Sequence, residues 1–100
     1  MRVRFTATAL AEIDEICSYV EQDNPTAASN VAAAIARTIV RLTKRPKTAP
    51  IVYEGKVRAK LVERYQYRIF FELVDDELII RNVRSTRRLR PWKSERDGET

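Results

Sequence analysis

The hydrophobic pattern changes period twice along the chain. Residues 2–5, R-V-R-F, alternate polar and apolar positions and predict a short first strand, with Thr6 or Thr8 placed to cap a following helix. From Ala9 the spacing becomes helical. Leu10, Ile13, Cys17 and Val20, with Ile16 beside them, recur every three or four residues, while Glu12, Asp14, Glu15 and Glu21 fall mostly elsewhere. Q22-D-N-P25 stops that helix, because proline disfavours helical geometry in the residue before it yet suits the first turn of a new helix. Asn24 then caps a second helix over about 25–45, with Val31, Ile35, Ile39 and Leu42 as its stripe and many alanines allowing close approach. The short link makes the pair an antiparallel hairpin.

Residues 46–56 hold two of the four prolines and one of the two glycines, which predicts a loop. Strand chemistry follows at 57–62, 67–74 and 78–83, with Asp75 and Asp76 where a hairpin turn is needed. The expected fold class is α+β: an N-terminal strand at a sheet edge and a helical hairpin covering one face of a small antiparallel sheet. Within 67–74, Tyr67, Ile69, Phe71 and Leu73 form the more apolar set and are expected to meet the helices. Arg68, Phe70, Glu72 and Val74 would then lie on the open face, where Arg58 and Lys60 of the preceding strand are expected to join them. Such a face could hold a phosphate backbone. Its plainer alternative is a solvated surface with an Arg68–Glu72 ion pair.

At 100 residues the chain fits one domain, expected over 1–93, with the polar segment 94–100 as a frayed tail. No apolar run reaches the roughly 20 residues that span a bilayer, so the expected location is the cytoplasm, without a membrane partner. Charge is unevenly distributed. Residues 1–36 carry two basic and five acidic side chains, 37–93 carry sixteen and six, and 94–100 carry one and three. The strongly positive middle block draws polyanions or acidic proteins. Part of it has a local explanation, since Arg37, Arg41, Lys44 and Arg45 sit where cations suit the C-terminal end of the second helix.

Absent residue types narrow the chemistry. Without histidine, a serine or cysteine nucleophile has no imidazole base, and one cysteine cannot build the usual structural zinc site. Gly55 and Gly98 provide neither a phosphate-binding loop nor a dinucleotide fingerprint, and no cofactor is expected. Asp75, Asp76 and Glu77 are neighbours in a turn that point apart, so no metal site is expected either. Metal-free RNA cleavage remains open. It needs a base, an acid and cations for the phosphorane charge. Lys60, Arg68, Arg87 and Arg88 are candidates for the cations, and Tyr53, Tyr65, Tyr67, a lysine or Glu72 for proton transfer.

The order of elements, with A9-L-A-E-I-D-E-I16, N24-P-T-A-A28, L61-V-E-R-Y-Q-Y-R-I-F-F71, I80-R-N-V-R-S-T-R-R88 and R90-P-W92, resembles the ParE/RelE superfamily of toxins from bacterial type II toxin–antitoxin systems. The resemblance covers nearly the whole chain and is closer to the ParE branch. It implies a toxin neutralised by a cognate acidic antitoxin, ParD-like or RelB-like, in a hetero-oligomer. ParE-like members poison DNA gyrase, and RelE-like members cleave mRNA on the ribosome. Arg68 matches the arginine of the family's Tyr-Arg strand motif, and Arg87 and Arg88 match the basic pair after the last strand. Ser85 stands where many relatives carry histidine, and the chain lacks the C-terminal tyrosine or histidine common in the ribosome-dependent nucleases.

Three readings follow. The first is a gyrase inhibitor whose target-binding surface comprises Arg58, Lys60, Arg68, Arg84, Arg87, Arg88, Arg90 and Trp92. The second is a ribosome-dependent ribonuclease using Lys60, Arg68 and Arg88. The third is a basic module that docks on nucleic acid.

Overall fold

The computed structural model describes residues 1–87, so Arg88, Arg90, Trp92 and the expected tail at 94–100 lie outside the described residues. Strand β1 (Arg2–Phe5) leads into helix α1 (Ala7–Glu21) and then helix α2 (Pro25–Lys44). A single 3-10 turn (Pro46–Thr48) precedes β2 (Ile51–Tyr53), β3 (Val57–Leu61), β4 (Tyr67–Val74) and β5 (Glu77–Ser85). Both helices begin as the sequence expects. Thr6 Oγ1 accepts from the Ala9 amide and Asn24 Oδ1 from the Ala27 amide, each at 3.0 Å.

The five strands form one sheet in the order β1-β5-β4-β3-β2. It is mixed rather than wholly antiparallel, because β1 pairs parallel with β5. The helical hairpin and three strands separate these two in sequence, so their pairing is a crossover and not a hairpin. The second departure is β2, which lies inside the expected loop. Three residues between Pro50 and a Glu54-Gly55 turn are too few to show a period, and both turn residues adopt positive φ (55° and 67°). Asp75, also at positive φ, turns β4 into β5 as expected.

The helices cover one face. Ile69, Phe71, Leu78, Ile80 and Val83 are fully buried beneath Val31, Ile35, Ile39 and Leu42, so the α2 stripe is as expected. On α1 the buried face is rotated. Ala9 and Glu12 are buried and Ile13 and Ile16 pack on the core, whereas Leu10 remains 54% exposed and Cys17 is half-buried. The helix sits against the end of β5, and a carboxylate occupies part of its inward face. A smaller cluster of Val57, Ala59 and Phe70, with Val52 and Tyr53 packed on it, covers part of the opposite sheet face.

Candidate functional site

One irregularity organises the region of interest. The β4–β5 register shifts at Phe70/Phe71: Phe70 pairs with Asn82 and Phe71 with Ile80, leaving Arg81 as an extra residue in β5. Bulges re-aim side chains, and Arg81 reaches Glu72 at 3.0 Å, Glu54 at 3.8 Å and the face of the Tyr53 ring at 5.9 Å. This cluster ties β5, β4 and the β2 turn together on the face away from the helices. The partner of Glu72 is thus Arg81, not the expected Arg68.

Beyond Phe5, β1 no longer pairs with β5, and the outer edge of β5 needs other partners. Thr6 supplies its amide to the Ile80 carbonyl and its hydroxyl to the Arg81 carbonyl. Glu12 supplies the rest. Its carboxylate accepts from the Val83 amide at 3.0 Å, Asn82 Nδ2 at 3.1 Å and Arg84 Nε at 2.9 Å. A buried carboxylate is tolerated when its oxygens are bonded and its charge is paired, and both conditions hold here.

Next to this junction opens a cleft of about 510 Å³ between α1, the β3–β4 connection and the end of β5. Ile16, Tyr19, Tyr65 and Tyr67 give it an apolar wall, and Arg64, Arg84 and Arg87 outnumber Glu12 and Glu15 in its lining. Arg84 stands directly opposite Arg68 in the β4–β5 register. Cross-strand like charges repel; here Arg84 is held by Glu12, and among the described residues Arg68 has no salt bridge. Ser85 Oγ accepts from the Arg87 amide at 3.2 Å, so its hydroxyl shapes the turn into the arginine run. Arg68, Arg84 and Arg87 are thereby brought to one end of the sheet.

Arg58 and Lys60 are not brought there. The register pairs Arg58 with Phe71 and Lys60 with Ile69, which places both on the helix-side face, opposite to the expectation. Arg58 donates to the carbonyls of Ala49 at 2.6 Å and Lys47 at 3.2 Å, bracing the 46–50 crossing. A one-residue difference in strand facing decides this, and alternating V57-R-A-K fits either face when both carry apolar clusters.

Burial moves two of the candidate proton-transfer groups, Tyr53 and Tyr67, away from neutral pH. Burial raises the Tyr67 hydroxyl above its ordinary value, with Cys17 and Tyr19 adding to it. Burial likewise raises Tyr53, against an opposing effect of Arg81. The Cys17 thiol is raised by burial and by Asp14 and Glu21, so it stays protonated at neutral pH. Among the described residues, no three histidine, cysteine, aspartate or glutamate side chains gather to hold a metal. No described helix is long and apolar enough to cross a membrane.

Sequence reasoning missed Glu12, Arg64 and Arg81. Glu12 had a visible signal, a carboxylate spaced with Ala9, Ile13 and Ile16 on one helical face. Arg81 had none, because the bulge that frees it depends on the partner strand.

Comparison with known proteins agrees with this architecture. A family model described as the ParE toxin of type II toxin–antitoxin system, parDE, matches residues 3–90. A protein named "Putative toxin Y4kP" of Sinorhizobium fredii (strain NBRC 101917 / NGR234) is 42% identical over 45 residues, which span 45% of this chain and 47% of that protein. The chain therefore matches about half the length of this curated relative. Among solved structures, one described as the chromosomal ParDE TA system from P. aeruginosa superposes with a TM-score of 0.74 at 24% identity, covering 85% of this chain and 95% of that one. The isolated E. coli RelE toxin superposes with a TM-score of 0.60 at 13% identity, covering 91% and 89%. These two likenesses establish the fold.

Proposed function

Because the chain belongs to the ParE toxin family of type II toxin–antitoxin systems, we propose that it inhibits DNA gyrase by protein contact and that a cognate acidic antitoxin neutralises it. The family match over residues 3–90 carries this reading. The cationic end of the sheet supplies the contact surface, with Arg68, Arg84 and Arg87 at its centre and Arg88, Arg90 and Trp92 following in sequence. Gyrase acts on chromosomal DNA, so the reading places the protein in the cytoplasm. The antitoxin partner is consistent with the ParDE description of the P. aeruginosa neighbour. An acidic, amphipathic segment suits the cleft, where tyrosines and Ile16 offer apolar surface beside Arg64, Arg84 and Arg87.

The test is a supercoiling assay with purified gyrase. Inhibition by the full chain, relieved by the antitoxin, is the expected outcome; unchanged supercoiling at excess toxin removes the reading.

A second reading is favoured by the RelE-like fold and the convergence of Arg68 with Arg84: a ribosome-dependent mRNA endoribonuclease. Three arginines can stabilise a phosphorane. Acid and base are the weak point, since the chain has no histidine and the tyrosine hydroxyls at Tyr53 and Tyr67 are harder to ionise than usual. Mapping mRNA ends after induction separates the two, because cuts within ribosome-bound codons belong to the nuclease alone.

A further inference from the structure

A second basic concavity adjoins the cleft beside Glu12 and Arg84 and shares Arg64 with it. It has a volume of about 240 Å³ and is formed by Ala34, Arg37, Thr38 and Arg41 of α2 with Glu63 and Arg64 of the β3–β4 connection. Arg41 Nη1 donates to Glu63 Oε2 at 2.8 Å, and both side chains are largely exposed. The Glu63 carboxyl is held below its ordinary value chiefly by Arg41, with Arg64 and Arg37 contributing at longer range. All three arginines line the concavity that holds this carboxylate. Only one bonds it, and Arg37 and Arg64 take part in no salt bridge among the described residues.

Two features set this cluster apart from ordinary surface charge. The helix dipole favours cations only within the last turn, and Arg37 lies two turns before the end of α2 at Lys44. Arg64 is the stronger anomaly. The Tyr65 amide bonds the Val62 carbonyl in a turn whose third residue, Arg64, has φ 72°, the position that favours glycine. A residue with a Cβ held there carries a backbone penalty, and such penalties gather where a side chain is used. Arg64 lines the same concavity as Arg37 and Arg41.

We propose that Arg37, Arg41 and Arg64 form a site for a phosphate group, occupied in the unliganded protein by the Glu63 carboxylate. Charge decides for phosphate over a carboxylate ligand. Three guanidiniums against Glu63 leave two positive charges uncompensated, which a phosphate carrying about −1.5 to −2 near neutral pH matches and a carboxylate does not. Tetrahedral oxygens can also accept from forks arriving from two different elements. Lys44 continues the row along α2 from Arg37 and Arg41, so the phosphate can be free or part of a nucleic-acid backbone.

The experiment follows backbone amides of the full chain by NMR at constant ionic strength. Inorganic phosphate, tripolyphosphate, a short single-stranded RNA and an oligoglutamate peptide are added separately. Saturable shifts centred on residues 37–41 and 63–64 with a phosphate probe are expected. Free phosphate or tripolyphosphate acting alone identifies a small-anion site; RNA acting alone identifies a backbone site. Arg64→Gly should weaken binding about tenfold while raising the thermal unfolding midpoint, since glycine relieves the turn. Glu63→Gln should tighten binding about twofold to fivefold by removing the competing charge. Shifts confined to the cleft of Arg84 and Arg87, binding unchanged by Arg64→Gly, or response to oligoglutamate alone would overturn the proposal.

Discussion

Glu12 of α1 and Arg84 of β5 are joined by a 2.9 Å charge-assisted hydrogen bond, and the same carboxylate bonds the Val83 amide and the Asn82 side chain. The first helix is thereby fixed to the strand that leads into the arginine run. Replacing Glu12 with alanine removes the acceptor that a buried amide, a side-chain amide and the Arg84 guanidinium share. Because Arg84 is partly exposed, the cost is that of leaving buried donors unsatisfied, about 1–3 kcal/mol. Urea unfolding of Glu12→Ala should show a decrease of that size. In a double-mutant cycle, Glu12→Leu with Arg84→Leu should lose less than the two single variants summed, because neither charge is then stranded.

The Arg81 cluster makes a different prediction, about local opening. Among the described residues Arg81 is the one cation shared by Glu72 and Glu54, and it lies over the Tyr53 ring. Arg81→Ala should lower stability by about 1–3 kcal/mol, because Glu72 is largely buried and loses its partner. The loss should be uneven. Amide hydrogen exchange at 51–53 should accelerate more than at 69–71, since β2 is a short edge strand and β4 is central.

These two clusters mark where the sequence was not legible. The α2 stripe of Val31, Ile35, Ile39 and Leu42 was readable because the whole stripe faces one apolar layer. On α1 the reading slipped, since Leu10 looks like core and Glu12 like surface, while the docking of α1 against the unpaired edge of β5 reverses their roles. Arg58 and Lys60 were placed on the wrong face because facing depends on inter-strand register, which no single strand encodes. The family motif points to Arg68 and Arg87 and the arginine run to Arg84; the structure brings these three to one end of the sheet, with Glu12 bonding Arg84 and Ser85 bonding the Arg87 amide. Arg64 was hidden by its turn. Nothing in E63-R-Y-Q66 announces a positive φ, because glycine, its usual mark, is absent.

Alkaline titration should separate the tyrosines. Burial favours the neutral form of Tyr53 and Tyr67 in the folded chain, so their folded values lie above the ordinary 10.0. The stability they contribute is fully present below that ordinary value and is lost as pH rises through the higher folded values. Phenolate absorbance should therefore show a late-titrating class. Tyr67→Phe should remove part of that class; an unchanged late amplitude would refute the assignment.

At the acid end, Glu63 behaves in the opposite sense. Its folded value is lowered, chiefly by the hydrogen bond from Arg41, so its contribution is present above the ordinary 4.5 and is lost as pH falls through the lowered value. Carboxyl NMR titration should find Glu63 ionising below the ordinary range. Arg41→Ala should return it most of the way, and Arg64→Gly only slightly, because the bonded guanidinium dominates. Equal effects of the two substitutions would mean that long-range charge, not the bond, sets the value.

The functional prediction contrasts two groups of arginines that the sequence alone treats alike. Arg68 and Arg84 are cross-strand neighbours at the end of the sheet beside Arg87, whereas Arg58 lies on the other face and bonds the carbonyls of Lys47 and Ala49. Arg68→Ala and Arg87→Ala should each reduce gyrase inhibition about tenfold while moving stability by about 0.5 kcal/mol or less, because neither side chain holds a salt bridge among the described residues. Arg58→Ala should behave conversely. It should destabilise the chain by about 1–2 kcal/mol through two lost hydrogen bonds and leave inhibition per folded molecule unchanged. Lys60→Ala should alter neither. Supercoiling inhibition and urea unfolding measured on the same four preparations decide the matter: loss of inhibition with Arg58→Ala at full folding would put the contact surface on the opposite face of the sheet.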